Sequence, residues 1–277
     1  MAKLIIEAGR AEKHYWADLW RYRELFYFLA WRDVLVRYKQ TVVGVAWAVV
    51  RPFLTMLIMT FIFSRMAGLP GAGATPYAIM VLAAMLPWQF FSNALGASSD
   101  SLVGNANLIS KVYFPRFIIP GSAMVVSFID FLISFTIMVA LMAWYWCWPD
   151  WRVLTLPLFM VLALLAALGP GLLLTALTVR YRDFRVIIPF IVQFGLYVSP
   201  VGFSSSVIRD KFGDTAFLFY SLNPMVGVID GFRWALLRGQ SGIYFPGFAL
   251  SLMLTGLLLW VGIRYFRNVE RTFADVI

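Results

Sequence analysis

The chain has 277 residues, of which 61% are hydrophobic and only 13% charged, and it carries a net charge of +9. A soluble protein of this length has no core large enough to hide so much apolar surface, so lipid is the solvent this composition demands. The basic residues lie between the hydrophobic runs, so the charge reads as membrane topology and contact with an anionic membrane surface rather than as a nucleic-acid partner.

Residues 1–13 are polar and charged and lack the basic, apolar, small-residue order of a cleaved signal peptide. Insertion is therefore expected to begin at the first internal span. From His14 to Gln40 the pattern becomes that of an amphipathic helix, with Trp20, Tyr27, Trp31, Val34 and Tyr38 on one stripe. Arg21, Arg23, Glu24, Arg32, Asp33 and Arg37 interrupt the apolar residues, and so many charges rule out a span. A helix lying in the cytoplasmic interface fits this pattern; the alternative is a helix packed on a soluble domain.

Six hydrophobic stretches follow, near Gly44–Met66, Tyr77–Ser99, Phe117–Trp144, Leu154–Val179, Val186–Phe203 and Tyr244–Arg264. Each approaches the ~20 residues that cross a ~30 Å hydrocarbon core. The expected fold is an all-α integral membrane protein with six transmembrane helices, divided into residues 1–40 and a single membrane domain over 41–277. Of the 23 Lys and Arg residues, Arg65, Arg152, Arg209, Lys211, Arg233 and Arg238 fall in the outer segments if the amino end is inside, and the other 17 fall inside. That asymmetry places both termini in the cytoplasm. The 11 Trp residues fit a chain that meets the interface repeatedly.

Arg51, followed by Pro52, stands inside the first stretch. It lies ~10–13 Å into the hydrocarbon if the span begins near Val42. A charge there faces a polar cavity, a partner or an anionic ligand, or else the span starts later and the side chain snorkels to the headgroups. Asp130 is the one carboxylate deep in a predicted span, and a hydrogen bond to a neighbouring helix is its expected role.

The segment joining the second and third stretches, about 104–113, can make one or two helical turns with Leu108, Ile109 and Val112 on one side, ended by Pro115. An apolar face on a cytoplasmic loop invites a protein partner; the alternative is a turn packed under its own helices. Between the fifth and sixth stretches, about 204–237, lie two short helix candidates, Val207–Phe212 and Met225–Leu237. Short re-entrant helices in the outer leaflet or a folded outer loop both account for them.

Chemistry is conspicuous by its absence. No Gly-x-x-x-x-Gly-Lys-Ser/Thr phosphate loop occurs, so the chain has no ATP site of that kind. Acidic residues are scattered, and no paired carboxylates suit group transfer. The single cysteine, Cys147, and single histidine, His14, make neither a disulfide nor a zinc site.

Several of these segments carry a family resemblance. The run Asn107, Leu108, Ile109, Ser110, Lys111, Val112, Tyr113, Phe114, Pro115, Arg116, with Ile119 and Pro120 beyond it, closely resembles the signature of polysaccharide-exporting ABC transporter permeases, of the O-antigen exporter type. The approach to the first span, Arg37 to Ala48, is similar to that family's, and Arg180 to Asp183 and Asn223–Pro224 match as well.

The resemblance implies a homodimer of half-transporters that forms a channel above two separate P-loop ATPase subunits. ATP and magnesium would be bound there and no cofactor in this chain. It makes Asn107, Leu108, Ile109, Lys111, Val112 and Tyr113 the ATPase-coupling residues, gives the amphipathic helix a contact with the same partner, and makes the helices over 204–237 an outer gate. The implied cargo is a polysaccharide on an undecaprenyl pyrophosphate or another lipid, crossing a bacterial cytoplasmic membrane. Trp88, Phe90, Phe91, Tyr197 and Phe203 are candidate channel aromatics that would stack on sugar faces. Where the family often has Gln or Asn before the proline, this chain has Arg51, a candidate contact for the lipid pyrophosphate. Alternative readings are the same half-transporter with capsule, teichoic acid, a drug or a small lipid as cargo, an envelope-synthesis enzyme, or a secondary transporter.

Overall fold

The computed structural model describes residues 15–39, 42–69, 71, 73, 75–270 and 273, and every regular element among them is helical. His14 and Gln40, the limits of the predicted amphipathic helix, lie outside the described residues. Between them run α1 (Tyr15–Arg21) and α2 (Arg23–Tyr38), separated at Tyr22, whose backbone leaves helical geometry.

Then come α3 (Val42–Thr60), which continues as a π-helical turn over Phe61–Met66, α4 (Tyr77–Gly104), the short α5 (Ala106–Ile109) and α6 (Ile118–Trp144). A 3-10 turn over Trp151–Thr155 leads into α7 (Leu156–Arg180), followed by α8 (Phe184–Val198), α9 (Ser206–Tyr220), α10 (Pro224–Leu236) and α11 (Phe245–Val269).

The starts follow local chemistry. Pro157, Pro224 and Pro246 sit in the first turns of α7, α10 and α11, where a missing N–H costs nothing. Asn223 caps α10 by accepting a hydrogen bond from the Met225 N–H at 3.0 Å.

Among the described residues five segments are long and apolar enough to cross a membrane: Ala46–Met66, Tyr77–Gly104, Ile118–Trp144, Trp151–Arg180 and Phe245–Val269. The predicted span Val186–Phe203 is helical only to Val198, as part of the 15-residue α8. At 1.5 Å per residue α8 is ~22 Å long, short of a ~30 Å core. Ser199 precedes Pro200 and has extended backbone, so the helix stops there and the chain turns through residues 199–205.

At the centre stands α4, packed against α3, α6, α7, α8 and α10, with α2 laid on α6 and α11 on α7. Glycines let α7 and α11 touch backbone to backbone. A Cβ on Gly262 would collide with the Gly169 carbonyl, and one on Gly169 would lie 2.6 Å from the Leu259 nitrogen. Small residues at such crossings are how membrane helices gain dispersion contacts without a hydrophobic driving force.

Among the described residues two apolar clusters result. The larger joins the first half of α4 to α6, α7 and α10. The smaller gathers Leu29, Leu102, Ile109, Phe114, Ile118, Val179, Phe266 and Phe273 at the opposite end, here the base.

Candidate functional site

At the base, α4 ends at Asn105, which is held from two sides. Its Nδ2 donates to the Ser101 carbonyl at 2.9 Å, and its Oδ1 accepts from Arg32 Nη2 of α2 at 2.8 Å. Beyond it the coupling candidates divide. Ile109 is buried against the base cluster and Leu108 half-buried beside it, whereas Asn107, Lys111, Val112 and Tyr113 are exposed. The apolar face expected of Leu108, Ile109 and Val112 is therefore split. A helix of one turn cannot keep residue 112 on the side of 108 and 109, and Pro115 draws the chain back under Phe114 and Ile118. The exposed tip is Asn107 with Lys111 to Tyr113, mounted on an anchor of Leu108 and Ile109.

The base is braced further by its surroundings. The Arg116 N–H donates to Glu270 Oε1 at 2.7 Å, and the Arg267 guanidinium lies 4.6 Å from the Tyr15 ring centroid. Burial first, then the Glu270 carboxylate, pushes the Tyr15 hydroxyl above the ordinary phenol range, so it remains protonated.

From this base α2 runs along α6. Phe26 packs at Gly121, and farther on Arg37 Nη2 pairs with Asp130 Oδ2 at 2.6 Å while the Tyr38 hydroxyl donates to Asp130 Oδ1. Asp130 thus has the interhelical role its position predicts, and its partners come from the amphipathic helix. The stripe of that helix is divided: Trp20, Tyr27 and Trp31 are exposed, Val34 and Tyr38 are half-buried, and Leu25, Phe26, Leu29 and Ala30 face the protein.

Arg51 is exposed on α3, within a face that also carries Trp47, Leu54 and Ile58. Among the described residues no hydrogen-bond acceptor or carboxylate engages its guanidinium. Of the five candidate channel aromatics, only Trp88 and Phe91 are in ring contact with each other, with centroids 5.5 Å apart. Phe90 is buried against Phe131 of α6, with ring centroids 6.2 Å apart. Trp88 is buried over Gly195 of α8 and lies beside Phe91. Phe203 packs on Phe63, and Tyr197 alone is exposed, on the open face of α8. Being aromatic in a span says nothing about direction, and in α4 the surrounding helices claimed the rings.

At the top, away from the base, sits a constellation the sequence reading passed over. Arg233 of α10 is fully buried and donates to three carbonyls: Met80 at 3.2 Å, Phe203 at 2.8 Å and Val201 at 3.0 Å. One turn earlier Asp230, also buried, accepts from the Ser205 hydroxyl at 2.8 Å. The pair pins the 201–205 turn, which joins α8 to α9, against α10 and α4. The sequence did hold a signal: an acid and a base three apart in an otherwise apolar helix. Beyond this turn, α9 is kinked at Gly213, where φ is 83°. Among the described residues no group of three His, Cys, Asp or Glu side chains is placed to hold a metal ion.

Comparison with known proteins adds the following. Residues 24–237 match the family described as ABC-2 type transporter. The chain is 26% identical over 262 residues to the O-antigen export system permease protein RfbA of Myxococcus xanthus, covering 94% of this chain and 98% of that protein. It is 26% identical over 254 residues to a protein of the same name from Klebsiella pneumoniae, covering 89% and 92%.

Proposed function

We propose, from the premise that the chain belongs to the ABC-2 type transporter family, that it is the membrane-spanning subunit of an ABC exporter that moves a lipid-linked polysaccharide, O antigen foremost, out across the bacterial cytoplasmic membrane. The observation that carries this reading is the end-to-end similarity to O-antigen export permeases. The absence of a phosphate loop fits a subunit whose energy comes from a separate ATPase that binds ATP and magnesium. This chain performs no covalent chemistry in that scheme; it holds the path and changes its shape.

In this reading two copies form the channel and the base faces the cytoplasm. The exposed tip of Asn107, Lys111, Val112 and Tyr113 meets the ATPase, and α2 transmits its movement through Arg32 and Asn105 at one end and Arg37, Tyr38 and Asp130 at the other. The short α8 acts as a sixth crossing completed by the 199–205 turn, with α9 and α10 as the outer gate. The outward aromatics of α2 would sit at headgroup level. Arg51, a cation on an apolar face, would meet the lipid pyrophosphate as it enters.

The deciding experiment is purification of the tagged chain from native membranes. A stoichiometric P-loop ATPase is expected with it, and it should be lost when Val112→Asp is introduced at the exposed tip. A chain that repeatedly purifies alone would overturn the reading. For Arg51, Arg51→Gln should impair export with the complex intact, and undiminished export in that variant would remove its assigned role.

A further inference from the structure

At the top of the fold, the turn after α6 and the turn after α10 enclose a cavity of about 160 Å³. It holds far more than one water, at ~30 Å³ each, and is smaller than the ~300 Å³ at which drug-sized pockets begin. Its rim carries Trp146, Trp148, Arg238, Gln240 and Thr75, and its floor includes the buried Met142 and Leu236.

The rim is fixed in place. The Thr75 hydroxyl donates to Gln240 Oε1 at 2.7 Å, which leaves the Gln240 amide N–H groups to donate elsewhere. Arg238 Nε donates to the Trp148 carbonyl at 2.5 Å, and Arg152 Nη1 donates to the Arg238 carbonyl at 2.6 Å. The two indoles stay in the open, Trp146 82% and Trp148 48% exposed.

Backbone geometry singles out the same place. Among the described residues just two non-glycine residues have positive φ, Trp146 at 55° and Arg238 at 54°, and both line this cavity. The left-handed region is costly for a bulky side chain, and such strain gathers at ligand clamps. A tight turn alone would be served better by glycine, as it is at the adjoining Gly239, with φ 72°.

We infer that this cavity is a saccharide subsite that takes a single pyranose ring at the outer face of the membrane. The partly positive C–H face of a sugar meets the electron-rich indole faces of Trp146 and Trp148. The Gln240 amide and the Thr75 hydroxyl engage its hydroxyls, and Arg238 lies at the edge. The inference rests on the polysaccharide-export reading, for both the cargo and the outward placement of this end.

The test uses the full chain with its ATPase in lipid nanodiscs. The probe is the set of oligosaccharides released by mild acid from the host's own surface polysaccharide, observed by saturation-transfer NMR. Wild type should transfer saturation to sugar protons, and Trp148→Ala and Gln240→Ala should weaken binding roughly tenfold. Trp144→Ala, an exposed neighbour that does not line the cavity, should bind as wild type. Trp146→Gly separates binding from folding: it relieves the backbone, so the protein should melt no lower yet bind more weakly.

No transfer to wild type, unchanged binding in Trp148→Ala, or an equal loss in Trp144→Ala would overturn the subsite. The last would reduce these rings to an interfacial belt. Deleting the chain in cells reports separately on the premise: if surface polysaccharide then stays inside while the nanodisc complex binds no probe, the cavity proposal alone fails. If surface display is unaffected by the deletion, the export reading fails.

Discussion

Helices α3, with the turn that continues it, and α4 both supply candidate spans, yet their surroundings are opposite. Of the most apolar 18 residues of each span, 72% are buried inside the protein in Tyr77–Gly104 and 17% in Ala46–Met66. The buried helix is the more polar of the two: Ser98, Ser99 and Ser101 lie inside, with the Thr175 hydroxyl donating to the Ser98 carbonyl at 2.9 Å. The exposed helix shows Trp47, Phe53, Leu54, Leu57, Ile58 and Phe61 to its surroundings. The hydrophobic pattern of a soluble protein is thus reversed. Inside the bundle small hydroxyls find partners and let helices approach, whereas a face turned to lipid or to another apolar surface has nothing to bond with.

If that contrast is right, damage should scale with closeness to α4. The largest effect is expected at Arg233. Arg233→Met leaves three buried carbonyls without their donor, a loss of about 3 kcal/mol or more at ~1–3 kcal/mol for each unsatisfied group. Denaturation in mixed micelles should show it, and a variant as stable as wild type would mean the 201–205 turn is held by other means. Next comes the α7–α11 crossing, where Gly262→Val must push two backbones apart, at a cost of about 1–3 kcal/mol. A lowered melting temperature in detergent is the measurement.

The Arg37–Asp130 pair should matter less, because Arg37 is half exposed. Asp130→Asn keeps an acceptor for Tyr38 and removes the ion pair, costing about 0.5–1 kcal/mol. Hydrogen exchange should then quicken in the last turns of α2 while α4 remains protected. The smallest effect is expected on the open faces. Leu57→Ala in α3 combined with Phe190→Ala in α8 should leave the folded chain within ~0.5 kcal/mol of wild type. If these faces join two copies, the same double variant should shift native mass measurements from dimer toward monomer. Lipid-facing surfaces would show no shift, which would sharpen the contrast with α4 from the other side.

Much of this was legible from residue order alone. Hydrophobic runs of span length, the charges that keep α2 out of the hydrocarbon, and prolines and an asparagine at helix starts are local signals that do not depend on what packs nearby. The motif around Lys111 and Pro115 pointed to a family whose match now covers most of the chain. What the residues could not carry was direction. Hydropathy alone does not separate a helix facing lipid from one enclosed by neighbours, and the burial of Phe90 and Trp88 is read only from the packing. Only tertiary structure decided that Ile109 would turn inward while Val112 stayed out, and that Arg233 would find three carbonyls from two distant segments. The physical reason is the same in each case: the bilayer fixes how apolar a helix must be, and close packing among helices fixes which way it faces.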